Sequence, residues 1–333
     1  DLRAEFERQN ALLFVWPDLA WGGDVLIKAI KAAHETTPIV IGASAGRAQV
    51  DLKERLALAD VSLEQIQILP LETTSIWVRD FGPLTVLRLD GSPILADSMY
   101  WHDQALSRFD EDALPLFLGR MLREPICRLP ILFEGGALLT NGDGLCLVPT
   151  STLVKNQKHG LSEELVTATI QRITGARRVV YLEPLRHEPT QHVDWFATFT
   201  SVNTVVIGDY TGIDPENAAI LDRNAKLLSG IETSQGPLNV VRIPQPPRER
   251  DFFGGSYTNV IYANGTLLVP TWRSAPPSTE KKVLSTYQRL LPGWKIVPIE
   301  CTELGRRAGA LRCASMNLFR VRRVENPITP SGT

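Results

Sequence analysis

The sequence predicts an α/β protein in which a β-hairpin, a helix and a short returning strand are written several times around a closed ring. Three observations predict it. Four segments run apolar, turn, apolar, as hairpins do. Each leads into a helical pattern and then a short apolar strand. Reactive side chains recur just before the hairpins at near-constant spacing, so a repeat has to be considered before any domain boundary. An open α/β sheet of two lobes has the same alternation. The ring is favoured because one such unit cannot bury both its faces alone, whereas several closed on each other leave no sheet edge open.

The N-terminal third fits the repeat least well. Strands are predicted near Leu12–Trp16, Pro38–Gly42 and Ile66–Leu69, with helices near 24–34 and 47–59. The hairpins follow at Leu84–Leu95 around Asp90-Gly91, Ala137–Val148 around Asn141-Gly142-Asp143-Gly144, Phe196–Ile207 around Val202-Asn203, and Val260–Val269 around Asn264-Gly265. Asn-Gly and Asp-Gly suit tight hairpins because both central residues can take positive φ at little cost. Helices are predicted over 111–123, 162–174, 215–229 and 279–291. Start signals stand at Ser162-Glu163-Glu164, Asp214-Pro215-Glu216 and Ser278-Thr279-Glu280. Leu165, Ile170 and Ile173 are expected on the core face of the second helix, and Ala219, Leu221, Leu227 and Leu228 on that of the third. The returning strands are Ile126–Leu132, Val179–Leu182, Val240–Ile243 and Ile296–Ile299.

Composition narrows the function. The 333 residues carry 35 Lys+Arg against 37 Asp+Glu, and this net charge of −2 gives no bulk field for nucleic acid. No apolar run approaches the roughly 20 residues that cross a bilayer, so no membrane partner is expected. The start at Asp1 does not read as a signal peptide and lacks Met, so the natural terminus is expected to lie further upstream. Four scattered cysteines (127, 146, 301, 313) contain no C-x-x-C pair, which favours a reduced, cytoplasmic setting. A soluble enzyme with a 44% hydrophobic chain and a substantial core is the expectation. A homodimer is left open.

The junctions before the hairpins carry the chemistry. They read Trp77-Val78-Arg79-Asp80-Phe81-Gly82-Pro83, Phe133-Glu134-Gly135-Gly136, Gln191-His192-Val193-Asp194-Trp195, Ser256-Tyr257-Thr258-Asn259 and Gly309-Ala310-Leu311-Arg312-Cys313-Ala314. From Asp80 through Glu134, His192 and Tyr257 to Cys313 the steps are 54, 58, 65 and 56 residues. In a ring these junctions meet at one end of the axis, gathering Asp80, Glu134, His192, Asp194 and Cys313. Three carboxylates beside a thiol and an imidazole suit a planar guanidinium, whose forked N–H donors match paired carboxylates. Cys313 is the good nucleophile of the set, and His192 can carry a proton to the leaving nitrogen.

These motifs, in this order, resemble the agmatine deiminase and bacterial peptidylarginine deiminase family. Phe14-Val15-Trp16-Pro17, and Tyr257-Thr258-Asn259 followed by Leu268-Val269-Pro270, add to the likeness, which spans about residues 5 to 320. The resemblance implies the five-bladed β/α-propeller of guanidino-group-modifying enzymes, as a single catalytic domain over 1–333 with no cofactor and no metal. It implies Cys313 as nucleophile, His192 as general acid/base, Asp80 and Asp194 as the carboxylates gripping the guanidinium, and Glu134 as a further acidic contact. Trp77 and Asn259 are expected beside the substrate. The partner is then a small guanidine, with agmatine leading, or an arginine-containing peptide. An amidinotransferase and a non-catalytic guanidine binder are the remaining rivals. Two departures from the agmatine branch stand out: Phe81 replaces a small hydroxyl residue, and Arg312 replaces the usual His before the Cys. Arg312 is open to two readings, a partner for a substrate carboxylate or a structural residue.

Singly, each feature has a plainer explanation. Asp80 could pair structurally with Arg79, Gly135-Gly136 could be a tight turn, and a free Cys is by default a small buried apolar residue. That default is kept for Cys127, Cys146 and Cys301. His34, His102, His159 and His187 are read as structural or solvated, and Trp77, Trp195 and Trp272 as packing residues, with Trp195 able to wall a pocket. Joint occurrence at matched points of one repeat favours a site.

Overall fold

In the computed structural model residues 1–17, 21–100, 109–248 and 254–321 are described; His102 lies outside them. The fold is mixed α/β. Parallel strands β1 (Ala11–Trp16), β2 (Ile39–Ala43) and β3 (Ile66–Leu69) come first, with helices α1 (Gly23–Ala33) and α2 (Arg47–Leu58) between them. A short helical turn, α3 (Val78–Phe81), precedes the hairpin β4 (Leu84–Leu87) and β5 (Pro93–Met99). Helix α4 (Phe109–Leu122) then carries the chain to β6 (Ile126–Leu132), parallel to β5. The same order recurs. Hairpin β7 (Leu139–Thr140) and β8 (Leu145–Pro149) leads through α5 (Thr150–Lys158) and α6 (Glu163–Thr174) to β9 (Arg178–Leu182). Hairpin β10 (Ala197–Ser201) and β11 (Thr204–Asp209) leads through α7 (Pro215–Ser229) and a minor hairpin, β12 (Glu232–Thr233) and β13 (Gly236–Pro237), to β14 (Asn239–Pro244). Hairpin β15 (Ile261–Ala263) and β16 (Thr266–Thr271) leads through α8 (Pro277–Leu290) to β17 (Lys295–Glu300). After α9 (Thr302–Gly305), the strand β18 (Met316–Leu318) returns to pair antiparallel with β1, Ala11 opposite Leu318. Five small sheets therefore share one pattern, an antiparallel pair extended by a parallel strand, or by two in the β18–β1–β2–β3 sheet.

Turn chemistry sets the hairpins. Asn264 (φ 44°) and Gly265 (φ 98°) supply the two positive φ values that a two-residue turn needs. Helix starts are set by side-chain caps. Asp214 accepts from Asn217 N at 3.1 Å and Ser162 from Leu165 N at 3.3 Å. Ser278 is not a cap: α8 starts at Pro277, and Glu280 accepts from Trp272 N at 2.7 Å.

Some expected core positions are corrected. Leu165 is exposed and Val166 takes the core face of α6, while Ala219 and Leu227 of α7 are exposed and Ile220, Leu221 and Leu228 are buried. In each helix the apolar stripe starts one residue away from the expected position, because the neighbouring apolar residue also fits a 3.6-residue period. Cys127, near the start of β6, is exposed, which corrects the burial expected for it, whereas Cys146 and Cys301 are buried. Helix α5 was not anticipated; its run Thr150–Lys158 buries one large apolar side chain, Leu153, too few to show a period.

The first strands of all five sheets border a common cavity. Leu84 and Thr85 of β4, Leu139 and Thr140 of β7, Thr198 and Phe199 of β10, Tyr262 of β15, and Met316 and Asn317 of β18 line it. Leu2, Arg3 and Glu5 of the N-terminal segment also face this cavity. No helix among the described residues is long and apolar enough to cross a membrane.

Candidate functional site

Each predicted site residue lies just before the first strand of a sheet. Asp80 sits in α3 ahead of β4, Glu134 precedes β7, His192 and Asp194 precede β10, Asn259 precedes β15, and Cys313 precedes β18. The junctions meet directly: His192 contacts both Glu134 and Asp80, and Arg79 donates to Arg312 O, 233 positions away.

His192 is held most firmly. Its Nε2 lies 2.5 Å from Glu134 Oε2, and its Nδ1 lies 3.7 Å from Asp80 Oδ1. Glu188 shapes the preceding loop by accepting from Thr190 N at 3.0 Å and from His192 N at 3.2 Å, with Gln191 at φ 58°. Gly136 lies against the imidazole. A Cβ there would stand 2.3 Å from Nδ1, so this glycine serves close approach rather than a positive φ. Lys155, which no sequence pattern flagged, donates to Glu134 Oε2 at 3.0 Å.

These contacts fix the charges. Burial opposes ionisation of Glu134, but the His192 hydrogen bond and the His192 and Lys155 charges outweigh it and hold the carboxyl at about 2. Burial likewise opposes the His192 cation, yet the Glu134 bond and the surrounding carboxylates raise it to about 9. Asp80 is pushed up to about 7, by burial first and then by Glu134 and Asp194, with the His192 charge opposing. The site therefore holds an imidazolium–carboxylate pair beside a carboxyl poised near neutrality.

Asp194 is fully buried, and its Oδ2 accepts from Arg312 Nη1 at 2.6 Å. Arg312 turns its Nε and Nη2 toward Glu5, at 3.0 and 2.9 Å, and donates from Nη2 to Leu138 O at 3.1 Å. It is 3% exposed, and its two carboxylate partners hold its basicity above the ordinary arginine value against the cost of burial. Of the two readings of Arg312, the structural one holds. Arg79 shares Glu5, with Nη1 at 2.8 Å, and donates from Nη2 to Asn317 Oδ1 at 2.8 Å. Burial first, then the Arg312 charge, lowers its pKa to about 10. Arg79 pairs with Glu5, so the structural Arg79–Asp80 pair does not form.

Cys313 is buried, its N donates to Asn259 Oδ1 at 3.2 Å, and Sγ lies 3.5 Å from the same oxygen. Burial pushes the thiol well above its ordinary 9.0, and the negative charges of Asp194 and Asp80 push it further. Asp80 Oδ1, Asp194 Oδ1 and Asn259 Nδ2 are buried polar atoms without hydrogen-bond partners. Leaving such atoms unpaired costs about 1–3 kcal/mol each, so two acceptor oxygens and one donor are poised for a polar ligand. Trp77 is half-buried, backed by Gly309 and tilted at 56° to Trp21, 5.5 Å away. Trp195 is buried with its Nε1 unpaired. Phe81 is buried against Tyr100, 5.9 Å between rings, which makes it a core residue.

Sequence reasoning missed Glu5, Lys155 and the buried pairing of Arg79 beside the site. The adjacency of Arg79 to Asp80 was the available signal for the last; nothing local marks the other two.

The profile of the family described as "Porphyromonas-type peptidyl-arginine deiminase" matches residues 1–318. A curated relative named "Putative agmatine deiminase" from Shewanella sp. (strain MR-7) is 23% identical, covering 95% of this chain and 93% of its own. The solved agmatine deiminase of Enterococcus faecalis has a TM-score of 0.81 and 20% identity, covering 95% of each chain. A cysteine-to-serine variant of C. jejuni agmatine deiminase, solved with substrate bound, has a TM-score of 0.79 and 19% identity, covering 96% of each chain. The match across residues 1–318, over the same chain that gathers Asp80, Glu134, His192, Asp194 and Cys313, shows that the protein belongs to the Porphyromonas-type peptidyl-arginine deiminase family, hydrolases acting on guanidino carbon–nitrogen bonds.

Proposed function

We propose that this deiminase hydrolyses agmatine to N-carbamoylputrescine and ammonia through a covalent intermediate on Cys313. One observation carries the reading: two buried carboxylate oxygens, Asp80 Oδ1 and Asp194 Oδ1, have no hydrogen-bond partner, and both carboxylates lie close enough to the buried thiol to raise its pKa. A guanidinium offers donors to both and places its electrophilic carbon near Sγ. The His192 cation is committed to Glu134, so the bound guanidinium supplies the positive charge that lets Cys313 release its proton to solvent and react as the thiolate. The thiolate attacks the guanidinium carbon, a C–S bond forms, and His192 protonates the departing nitrogen, which leaves as ammonia. Neutral His192 then takes a proton from water as it attacks the amidino-thioether. The C–S bond breaks and the new hydroxyl gives up its proton to solvent, leaving the ureido product and the thiolate. Asn259 keeps the cysteine loop in place through its bond to Cys313 N. The substrate-bound cysteine-to-serine variant of the C. jejuni relative supports the role of Cys313.

Agmatine leads because Arg312, the candidate for matching a substrate carboxylate, is occupied by Glu5 and Asp194. The family description favours a second reading, deimination of arginine in a peptide, with the same residues in the same roles. We further propose that the five sheets are the blades of a closed β/α-propeller forming one catalytic domain; support comes from their common pattern and shared cavity. Ammonia and ureido-group assays against agmatine, free arginine, arginine methyl ester and an arginine peptide test the substrate. Turnover of the peptide above agmatine would overturn the agmatine assignment, and turnover of none would overturn the activity.

A further inference from the structure

Glu5 takes no part in the reaction above, yet it is tied to the site. It belongs to the N-terminal segment that faces the axial cavity, and its side chain is 17% exposed against 3% for each of its two arginine partners. Oε1 accepts from Arg312 Nη2 at 2.9 Å and from Arg79 Nη1 at 2.8 Å, and Oε2 accepts from Arg312 Nε at 3.0 Å. The guanidinium of Arg312 is rigid and planar, so gripping its Nε–Nη2 edge fixes where Nη1 points. Nη1 points at Asp194 Oδ2, 2.6 Å away, which leaves Oδ1 as the unpaired oxygen. Arg79 extends the same frame to the nucleophile, its main-chain N donating to Cys313 O at 3.1 Å.

Charge makes the arrangement more than packing. Glu5 and Asp194 balance Arg79 and Arg312, so the set is neutral. Without Glu5 it carries a net positive charge beside Asp194 and Cys313, where burial keeps screening weak.

We propose that Glu5 is a positioning residue for the guanidinium site, orienting Asp194 through Arg312 and neutralising both arginines so that Asp194 Oδ1 stays available to a cationic substrate. The assignment of Asp194 as a substrate carboxylate rests on the deiminase reading; the geometry and the charge balance do not.

Glu5→Gln in the full chain tests it with two readouts. Steady-state kinetics on agmatine is expected to show KM raised about tenfold or more, with a smaller loss in kcat. The rate of iodoacetamide alkylation at Cys313, followed by mass spectrometry of its peptide, is expected to reach its plateau at lower pH, because the uncovered arginines favour the thiolate. A purely structural role would not produce that acid shift. Glu5→Asp keeps the charge but breaks the fork, so KM rises while the alkylation profile stays at the wild-type pH. This variant carries the test if Glu5→Gln does not fold. A folded Glu5→Gln with wild-type KM and alkylation profile, or Glu5→Asp with wild-type KM, overturns the proposal. Alkylation needs no turnover, so failure of the deiminase reading shows separately, as an enzyme inert to every guanidine whose Cys313 profile still shifts with Glu5.

Discussion

The Nε2 of His192 lies 2.5 Å from Oε2 of Glu134, a buried pair in which the imidazole is held as a cation. Its partner carboxylate is in turn bonded to Lys155 at 3.0 Å. In the proposed mechanism His192 therefore enters the reaction as an acid, and the form of the enzyme that receives substrate has a protonated imidazole and an ionised Asp80.

That pairing predicts a bell-shaped pH profile. kcat/KM is expected to rise through pH about 7 as Asp80 ionises and to fall through pH about 9 as His192 loses its proton. In Glu134→Gln the descending limb moves to lower pH, because the carboxylate charge that sustains the cation is gone. A descending limb that stays in place would remove Glu134 from the control of His192.

Stability follows from the same groups. The folded His192 value, about 9, lies above its ordinary 6.5, so its contribution is complete below 6.5 and disappears as pH rises through 9. Asp80, raised from 3.8 to about 7, has the same sign over its own lower window. Thermal melts of the free enzyme are expected to show Tm falling from pH 6.5 to 9.5, and Glu134→Gln is expected to flatten that slope.

Cys313→Ala is expected to lower turnover by at least roughly a thousandfold, the scale of losing a nucleophile, while calorimetry still detects agmatine binding. Turnover near wild type would rule out the covalent route through this residue.

Asp80→Asn removes one carboxylate from the substrate grip. Charge-assisted hydrogen bonds contribute about 1.5–3 kcal/mol, so KM is expected to rise by about tenfold or more along with a loss in rate. An unchanged KM would contradict the gripping role.

Gly136→Ala tests the close approach to the imidazole. The new Cβ would stand 2.3 Å from His192 Nδ1, so the ring must move. A displacement of order 1 Å costs about a hundredfold in rate; kcat/KM is expected to fall on that scale, and Tm to fall as well because the crowded ring is buried. Wild-type kinetics would show that the ring has another tolerated position.

Much of this was legible before any coordinates. Asn264-Gly265 announces its hairpin because few dipeptides tolerate two positive φ values, and Asp214 announces its helix because its carboxylate satisfies a free backbone N–H. The junction residues Asp80, Glu134, His192 and Cys313 were found because the repeat placed them in step. What escaped depends on contacts across the whole chain. Arg312 looked like a candidate for substrate until Glu5, 307 positions away, proved to be its partner. Lys155 lies on α5, a helix with too little apolar pattern to be read. Leu165 was misplaced because an apolar residue next to a buried one follows the same periodicity to within one position, and Cys127 because the burial usual for a free cysteine does not hold at its place on β6.

The pairing of β18 with β1 makes the placement of Cys313 a long-range property of the fold. Its loop runs directly into a strand whose register is set by Ala11 opposite Leu318, 307 positions away. The thiol therefore keeps its surroundings only while both of these distant stretches are folded together, and its accessibility to a small alkylating reagent reports on that closure as well as on the site.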